Sequence, residues 1–457
     1  MEFLSAGVAS ERRALAVVLI PFFLLALFYA VSVPILEGPD EDDHFRYAKF
    51  IADHRALPVQ LFQAGGGQAG HQGWQPPLYY ALVALAISPI DTRDFGDHLW
   101  RNPNASYQGD PACCGRNLYY HSSGEDFPYT GTTLAVHLGR LISILFGLVT
   151  LASLFLLAQK VLASIALSLA VTAVAAFNPS FLFASALVSN DIPLAAFCTL
   201  TFLVLARILS RAGESNLRNV ILVALFVAGG ILSKTTALGL VPFVLGVLAF
   251  ADWRAGRLHK FGPSQIALKF LVHALIFGTI LVVLTGWYFA RNQSLYGDPA
   301  ALALINASAI FPRATPPTLF ELFYINLPWL WQTFWGGPVP GDFSPVLLGG
   351  LTLLACLALL GLGVRTVRNL KRLGAPFFFE PPFPILIVLV GWLGFIVVSQ
   401  IQFIRISGGT DQGRYLFPAM ASFAILFVVG LRQFHLFRTP LLYLLPLFLF
   451  SLALAVP

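Results

Sequence analysis

Charge is what this 457-residue chain has little of. Asp, Glu, Lys and Arg together make up 11% of it, against 57% hydrophobic residues and 41 phenylalanines. So apolar a composition excludes an ordinary soluble domain and points to a polytopic helical membrane protein. Cysteine is scarce too: Cys198 and Cys356 fall within apolar runs, and Cys113 and Cys114 are neighbours in a polar stretch. No CxxC spacing exists, which removes the usual zinc frameworks, and the adjacent pair is open to either a strained vicinal disulfide or two free thiols. The N-terminus starts basic, like a secretion signal. Its apolar run is longer than a signal core and no small-x-small cleavage site follows, so it is expected to be retained as a first span. A net charge of +6 would suggest nucleic acid in a soluble chain; here the cations sit in short loops between apolar runs, and no nucleic-acid partner is expected.

What is present is a series of apolar runs, at about 14–36, 138–158, 161–178, 192–209, 220–232, 237–251, 270–289, 346–364, 384–404, 416–431 and 441–456. Taking roughly 20 residues per crossing, they predict eleven transmembrane helices. With the N-terminus in the cytoplasm, Arg12, Arg13, Lys160, Arg207, Arg218, Arg254, Arg257, Lys269, Arg365, Arg368, Lys371 and Arg432 all fall inside, as the positive-inside rule requires. The expected organisation is one transmembrane domain over 1–457, with extracytoplasmic loops at 37–137 and 290–345. The working face is then expected outside the cytoplasm.

Two runs are anomalous. "PPLYYALVALAISPI", Pro76 to Ile90, is too short to span and reads as an interfacial or re-entrant helix of the first loop. "VILVALFVAGGILSKTTALGLVPFVLGVLAF" has room for two short helices only, with Lys234 between them. A lysine at that depth marks a functional site unless it snorkels from an ordinary hairpin turn.

Polar residues gather on the same predicted outer face. "GPDEDDHFRYAKF" follows the first span, Asp191 opens the fourth as a functional acid or a plain N-cap, and Arg291, Arg405 and Arg414 stand outside against the positive-inside bias. An anionic group held there would account for the arginines; contact with lipid head groups is the competitor. In "PDEDDH", Pro39 is expected at the first helical position with Asp40 and Glu41 in the first turn, and Asp40 and His44 share a face at i,i+4. Asp42 and Asp43 are expected to face water. Carboxylates and cations on one face suit glycosyl transfer from a polyprenyl-phosphate sugar: an acid takes the acceptor's proton while cations stabilise the departing phosphate. Base and cations on opposite sides of the sugar imply inversion. A divalent metal held by Asp40, Glu41, His44, His71 and Asp191 is the rival explanation, although no HxxxH or DxD spacing supports it.

The ordered series "PDEDDH", "QPPLYYAL", "VSND", "LSKTT", "WYFARNQSLYGDP" and "QGRYLFP" resembles the motifs of bacterial GT-C membrane glycosyltransferases over Arg12 to Leu431. More distantly it is similar to the lipid A aminoarabinose transferase and the protein O-mannosyltransferases. The resemblance implies an all-α GT-C fold, a polyprenyl-phosphate sugar donor, and an acceptor that is a glycan, lipid or protein. It also implies Asp40 as base beside Glu41, and Asp191, Arg414 and Tyr415 in the donor site. Where relatives carry lysine in a KPPL element this chain has Gln75, so the phosphate-binding role passes to Lys234, Arg291 or Arg414; His44 and His71 complete the candidate substrate contacts. The loop around Cys113 is expected to cap the site. Trp329, Trp331 and Trp335 are expected to form an interfacial belt or a wall for sugar or lipid. The alternatives are a transporter or flippase of an anionic or lipid-linked solute, for which no inverted repeat is visible, and a noncatalytic subunit or polymerase-type protein with similar outer loops.

Overall fold

The computed structural model describes residues 2–63, 67–103, 105, 117–210, 216–301, 303, 304, 307, 315–336, 344–374, 381–438 and 441–455. Cys113 and Cys114 lie outside them, as does the middle of the expected cap. The described residues are helical, with two isolated bridges, Gly67 to Gly70 and Arg101 to Tyr119, and no longer strand. In order run α1 (Glu2–Ser32), α2 (Glu41–His54), α3 (Leu78–Ile87), α4 (Gly131–Leu162), α5 (Ile165–Ala176), α6 (Pro179–Ser185), α7 (Asp191–Ser210), α8 (Leu217–Ser233), α9 (Leu240–His259) and α10 (Pro263–Tyr296). Further helices cover Leu327–Gly336, Pro345–Leu373, Phe383–Ile406, Met420–Leu431 and Leu441–Ala455.

Each of the eleven predicted runs is helical, but not each is a full crossing. Among the described residues eight helices are long and apolar enough to span, or nine if α5 and α6 count as one; α8 and Leu444–Leu454 are shorter apolar helices. The break between α5 and α6, a bend of 67°, is written in "FNPS". Asn178 caps α6 by accepting from the Phe181 amide at 2.8 Å, and Pro179 takes the first helical position, where its missing N–H costs nothing. The protein is an all-helical, multi-pass membrane protein.

Burial sorts the helices into centre and rim. In α7 and in Gly413–Leu431, 83% of the apolar window is buried, against 17% in α10 and Pro345–Arg372. A helix apolar all round and buried is central; one apolar all round and exposed has its outer face against lipid. α7 packs on α4, on α8 and on the Gly413–Ala419 turn, so the residues at its N-terminal end are surrounded by protein.

The region after α1 forms a compact unit of its own. Phe45 from α2, Tyr79, Tyr80 and Val83 from α3, and Ala135 and Val136 from α4 make a second apolar core. α3 is thus the short helix expected from Pro76 to Ile90, and its role is to seat α2 on α4.

Candidate active site

The acidic stretch after α1 takes a shape its sequence only partly shows. α2 begins at Glu41, not at Pro39, and Asp40 is its N-cap residue in the left-handed region, at φ 60° and ψ 14°. Asp tolerates that conformation better than most side chains, though at some cost. Asp40 gives its own helix no side-chain cap; its carboxylate instead binds the Arg414 guanidinium. Glu41 next to it is fully buried and receives Nε and Nη2 of Arg140 at 2.8 and 2.7 Å. It also accepts the Val188 amide at 2.9 Å. With both oxygens engaged and no place in the cavity lining, Glu41 stands apart from the catalytic place expected of it from the sequence.

Asp42 and Asp43 are not solvated neighbours. Asp42 accepts from the Tyr119 hydroxyl at 2.8 Å, and Asp43, 8% exposed, binds Nδ1 of His71. Gly70 makes the second contact feasible: its φ is +65° and a Cβ there would stand 1.9 Å from the Asp43 carboxylate.

The chain brings four charges together at one place. Lys234, between α8 and the turn Thr235–Gly239, puts Nζ 2.5 Å from Asp191 Oδ1. Arg414 donates to Asp40 and to the Pro39 carbonyl, with its Nε 3.8 Å from Asp191 Oδ2. The Tyr415 ring lies 4.8 Å from Lys234 Nζ and 5.1 Å from the Arg414 guanidinium carbon, a cation–π arrangement on both. Asp191 is 1% exposed, so it is a member of this cluster rather than a plain N-cap. Arg414 follows Gly413, whose Cα sits so close to the helix Leu327–Gly336 that a Cβ would meet the Phe334 nitrogen at 2.0 Å.

These groups line a cavity of about 1090 Å³, together with His44, His71, Gln75 and Asn190. The lining also includes the large apolar and aromatic side chains Tyr324, Ile325, Trp329, Ile396 and Phe403. Burial works to raise the Asp40 pKa, but Arg414, with His71 and His44, outweighs it and holds the carboxyl well below the usual range. Burial pushes His44 down to about 3, so its ring is neutral; its Nδ1 meets the Tyr80 hydroxyl at 2.7 Å rather than Asp40. Burial lowers His71 as well, yet the hydrogen bond to Asp43 prevails and its net shift is upward.

Of the sequence-predicted site residues, Asp40, His44, His71, Gln75, Asp191, Lys234, Arg414 and Tyr415 line the cavity; Glu41 and Arg291 do not. Arg291 donates to the carbonyls of Leu57 and Pro58, the second at 2.6 Å. It braces the first loop against α10. Arg405 is exposed and meets Gln402. The three tryptophans differ in setting: Trp329 lines the cavity, while Trp331, which donates to Thr352 at 2.8 Å, and the fully buried Trp335 meet edge to face with ring centroids 5.7 Å apart. Among the described residues no three His, Cys, Asp or Glu side chains form a metal-ligating group, Glu41 being taken by Arg140. Sequence reasoning passed over Arg140 and Gln72, read Asp43 as solvated, and gave Asn190 no role in the site. The signal for Arg140 was available, since an arginine inside the apolar run 138–158 needs a buried partner.

Comparison with known proteins adds to this geometry. The profile of the family described as dolichyl-phosphate-mannose-protein mannosyltransferase matches residues 136–277, about a third of the chain. The resemblance to membrane glycosyltransferases read from motif order is therefore met independently in the stretch that carries Arg140, Asp191 and Lys234. No curated protein sequence matches. Among solved structures, ArnT from Cupriavidus metallidurans bound to undecaprenyl phosphate superposes with a TM-score of 0.48 at 13% identity, covering 95% of this chain and 62% of that one. The oligosaccharyltransferase of Archaeoglobus fulgidus in complex with Zn and sulfate gives 0.48 at 14%, covering 95% and 52%. The S. cerevisiae protein O-mannosyltransferase complex bound to the sugar donor gives 0.42 at 17%, covering 63% and 34%. The chain thus spans between a third and three fifths of these relatives' lengths.

Proposed function

We propose that this protein is an inverting glycosyltransferase that moves a sugar from a polyprenyl-phosphate donor to an acceptor hydroxyl on the extracytoplasmic face of a bacterial inner membrane. The observation that carries the reading is the convergence of Asp40, Asp191, Lys234 and Arg414 in one cavity whose lining also includes large apolar side chains. Its volume of about 1090 Å³ is at the upper end for a small-molecule site, about 300–1,000 Å³, and suits two substrates at once. The exposed apolar rim at Tyr324 and Ile325, 71% and 55% exposed, suits the prenyl chain.

In the reaction the acceptor oxygen forms a bond to the anomeric carbon as its proton passes to Asp40. The bond from that carbon to the phosphate oxygen breaks, and the electron pair leaves with the lipid phosphate. Arg414 and Lys234 stabilise that charge in a site largely shielded from water. Arg414 here sits directly on Asp40, not across the sugar from it as expected from the sequence, because opposite charges in a poorly solvated site attract strongly. The donor phosphate competes for the guanidinium, and a carboxylate released from it becomes the stronger base. Asp191 holds Lys234 in place throughout.

The test is incubation of purified protein in liposomes with a panel of polyprenyl-phosphate sugars and glycan, lipid and peptide acceptors. Sugar transfer with release of polyprenyl phosphate is the expected result. Movement of the intact donor across the bilayer with no transfer contradicts it and identifies a flippase.

A further inference from the structure

Two amide side chains of the cavity wall each carry a buried oxygen with no partner. Gln75 and Asn190 both line the cavity and are 5% and 0% exposed. Gln75 Oε1 and Asn190 Oδ1 meet no hydrogen-bond donor among the described residues. Buried polar atoms are rarely left so, because water is lost without replacement.

That these atoms are oxygens follows from what the other end of each amide does. Asn190 Nδ2 donates to the Ser233 carbonyl at 3.0 Å; a carbonyl only accepts, so the free end of Asn190 is its oxygen. Gln75 Nε2 donates to Gln72 Oε1 at 3.1 Å, and Gln72 Nε2 lies 2.8 Å from Nε2 of His71, whose Nδ1 is on Asp43. With a neutral imidazole giving its proton to the Asp43 carboxylate, Asp43, His71, Gln72 and Gln75 form a chain running one way. It ends in an acceptor at the cavity. A protonated His71 turns the amides round, and a group able both to give and to accept meets either end.

A sugar hydroxyl is such a group. A carboxylate offers acceptors to the fixed Asn190 acceptor. We propose that Gln75 and Asn190 form a subsite that reads hydroxyls of the donor sugar, selecting a neutral glycosyl group over uronic acids. This rests on the cavity being a glycosyl-donor site.

The experiment uses the full-length protein and undecaprenyl phosphate carrying glucose, mannose or galactose, each paired with its uronic acid. A neutral sugar is expected to be consumed at least about tenfold faster than its charged counterpart, and Gln75→Met and Asn190→Leu are each expected to lower kcat/KM on it by about tenfold to a hundredfold. Binding of undecaprenyl phosphate itself, which has no hydroxyl to read, stays unchanged and shows that the variants fold. On the monodeoxy donor lacking the hydroxyl that a variant no longer reads, the loss shrinks to less than about threefold. Preference for a charged sugar, or a loss equal on every monodeoxy donor, overturns the subsite while leaving glycosyl transfer standing. Failure to consume any donor overturns the glycosyl-donor reading and the subsite with it.

Discussion

Glu41 and Arg140 meet as a bidentate pair, 2.8 and 2.7 Å across two parallel contacts, with both side chains fully buried. Arg140 also donates to the carbonyls of Ala30, Val33 and Pro34. One guanidinium therefore ties the end of α1, the start of α2 and the middle of the bundle together directly beside Asp40.

Breaking that pair is expected to unseat Asp40 and to destabilise the protein. Arg140→Met leaves a buried carboxylate uncompensated and should cost about 3–5 kcal/mol. Glu41→Gln/Arg140→Met, with no stranded charge, should recover part of it, as read by thermal unfolding in detergent. Equal melting temperatures for the single and double variants contradict this.

The Lys234 to Asp191 pair separates fold from chemistry. Lys234→Met leaves Asp191 with Arg414 at 3.8 Å as its remaining close cation, so stability should fall, and adding Asp191→Asn should restore it. Sugar transfer should stay down by about a hundredfold in both. Recovery of transfer in the double variant would place Lys234 outside the chemistry.

Gly413 is required by space rather than by turn geometry. A methyl group there meets the Phe334 backbone nitrogen at 2.0 Å, and neither strand of backbone has a flexible end to move. Gly413→Ala should displace Arg414, lowering transfer while lipid-phosphate binding weakens in step. Wild-type rates in this variant contradict the placement.

His71 makes the first loop sensitive to alkali. Its pKa is raised from 6.5 in the folded protein, so the protonated ring favours the fold. That contribution is complete below about pH 6.5 and disappears as pH rises through the raised value. The melting temperature should therefore decline across the neutral to mildly alkaline range, and His71→Gln should flatten the slope. An unchanged slope removes His71 as its source.

The helices were legible because a bilayer demands long apolar runs, and the order of motifs around Asp40, Asp191, Lys234 and Arg414 carried most of the site. Charge alone misled at three places. Asp42 and Asp43 look like surface acids until Tyr119 and His71 are folded against them. Glu41 shares its motif with Asp40 but turns the other way, because successive residues of a helix point some 100° apart and Asp40 is outside it. Arg291 was counted as an anion ligand, yet two backbone carbonyls of a loop more than 200 residues away satisfy it. No local pattern shows a partner so distant. Asn190 was given no role for a related reason: a neutral amide announces nothing until its neighbours leave one atom unpaired.

Sugar transfer by Asp40→Asn tests the account most directly. With an accepted polyprenyl-phosphate sugar and acceptor in single turnover, the variant keeps its shape and loses its proton acceptor. Its rate should drop by at least about a hundredfold with donor binding retained. A rate equal to that of the wild type contradicts the assignment of Asp40 as the base.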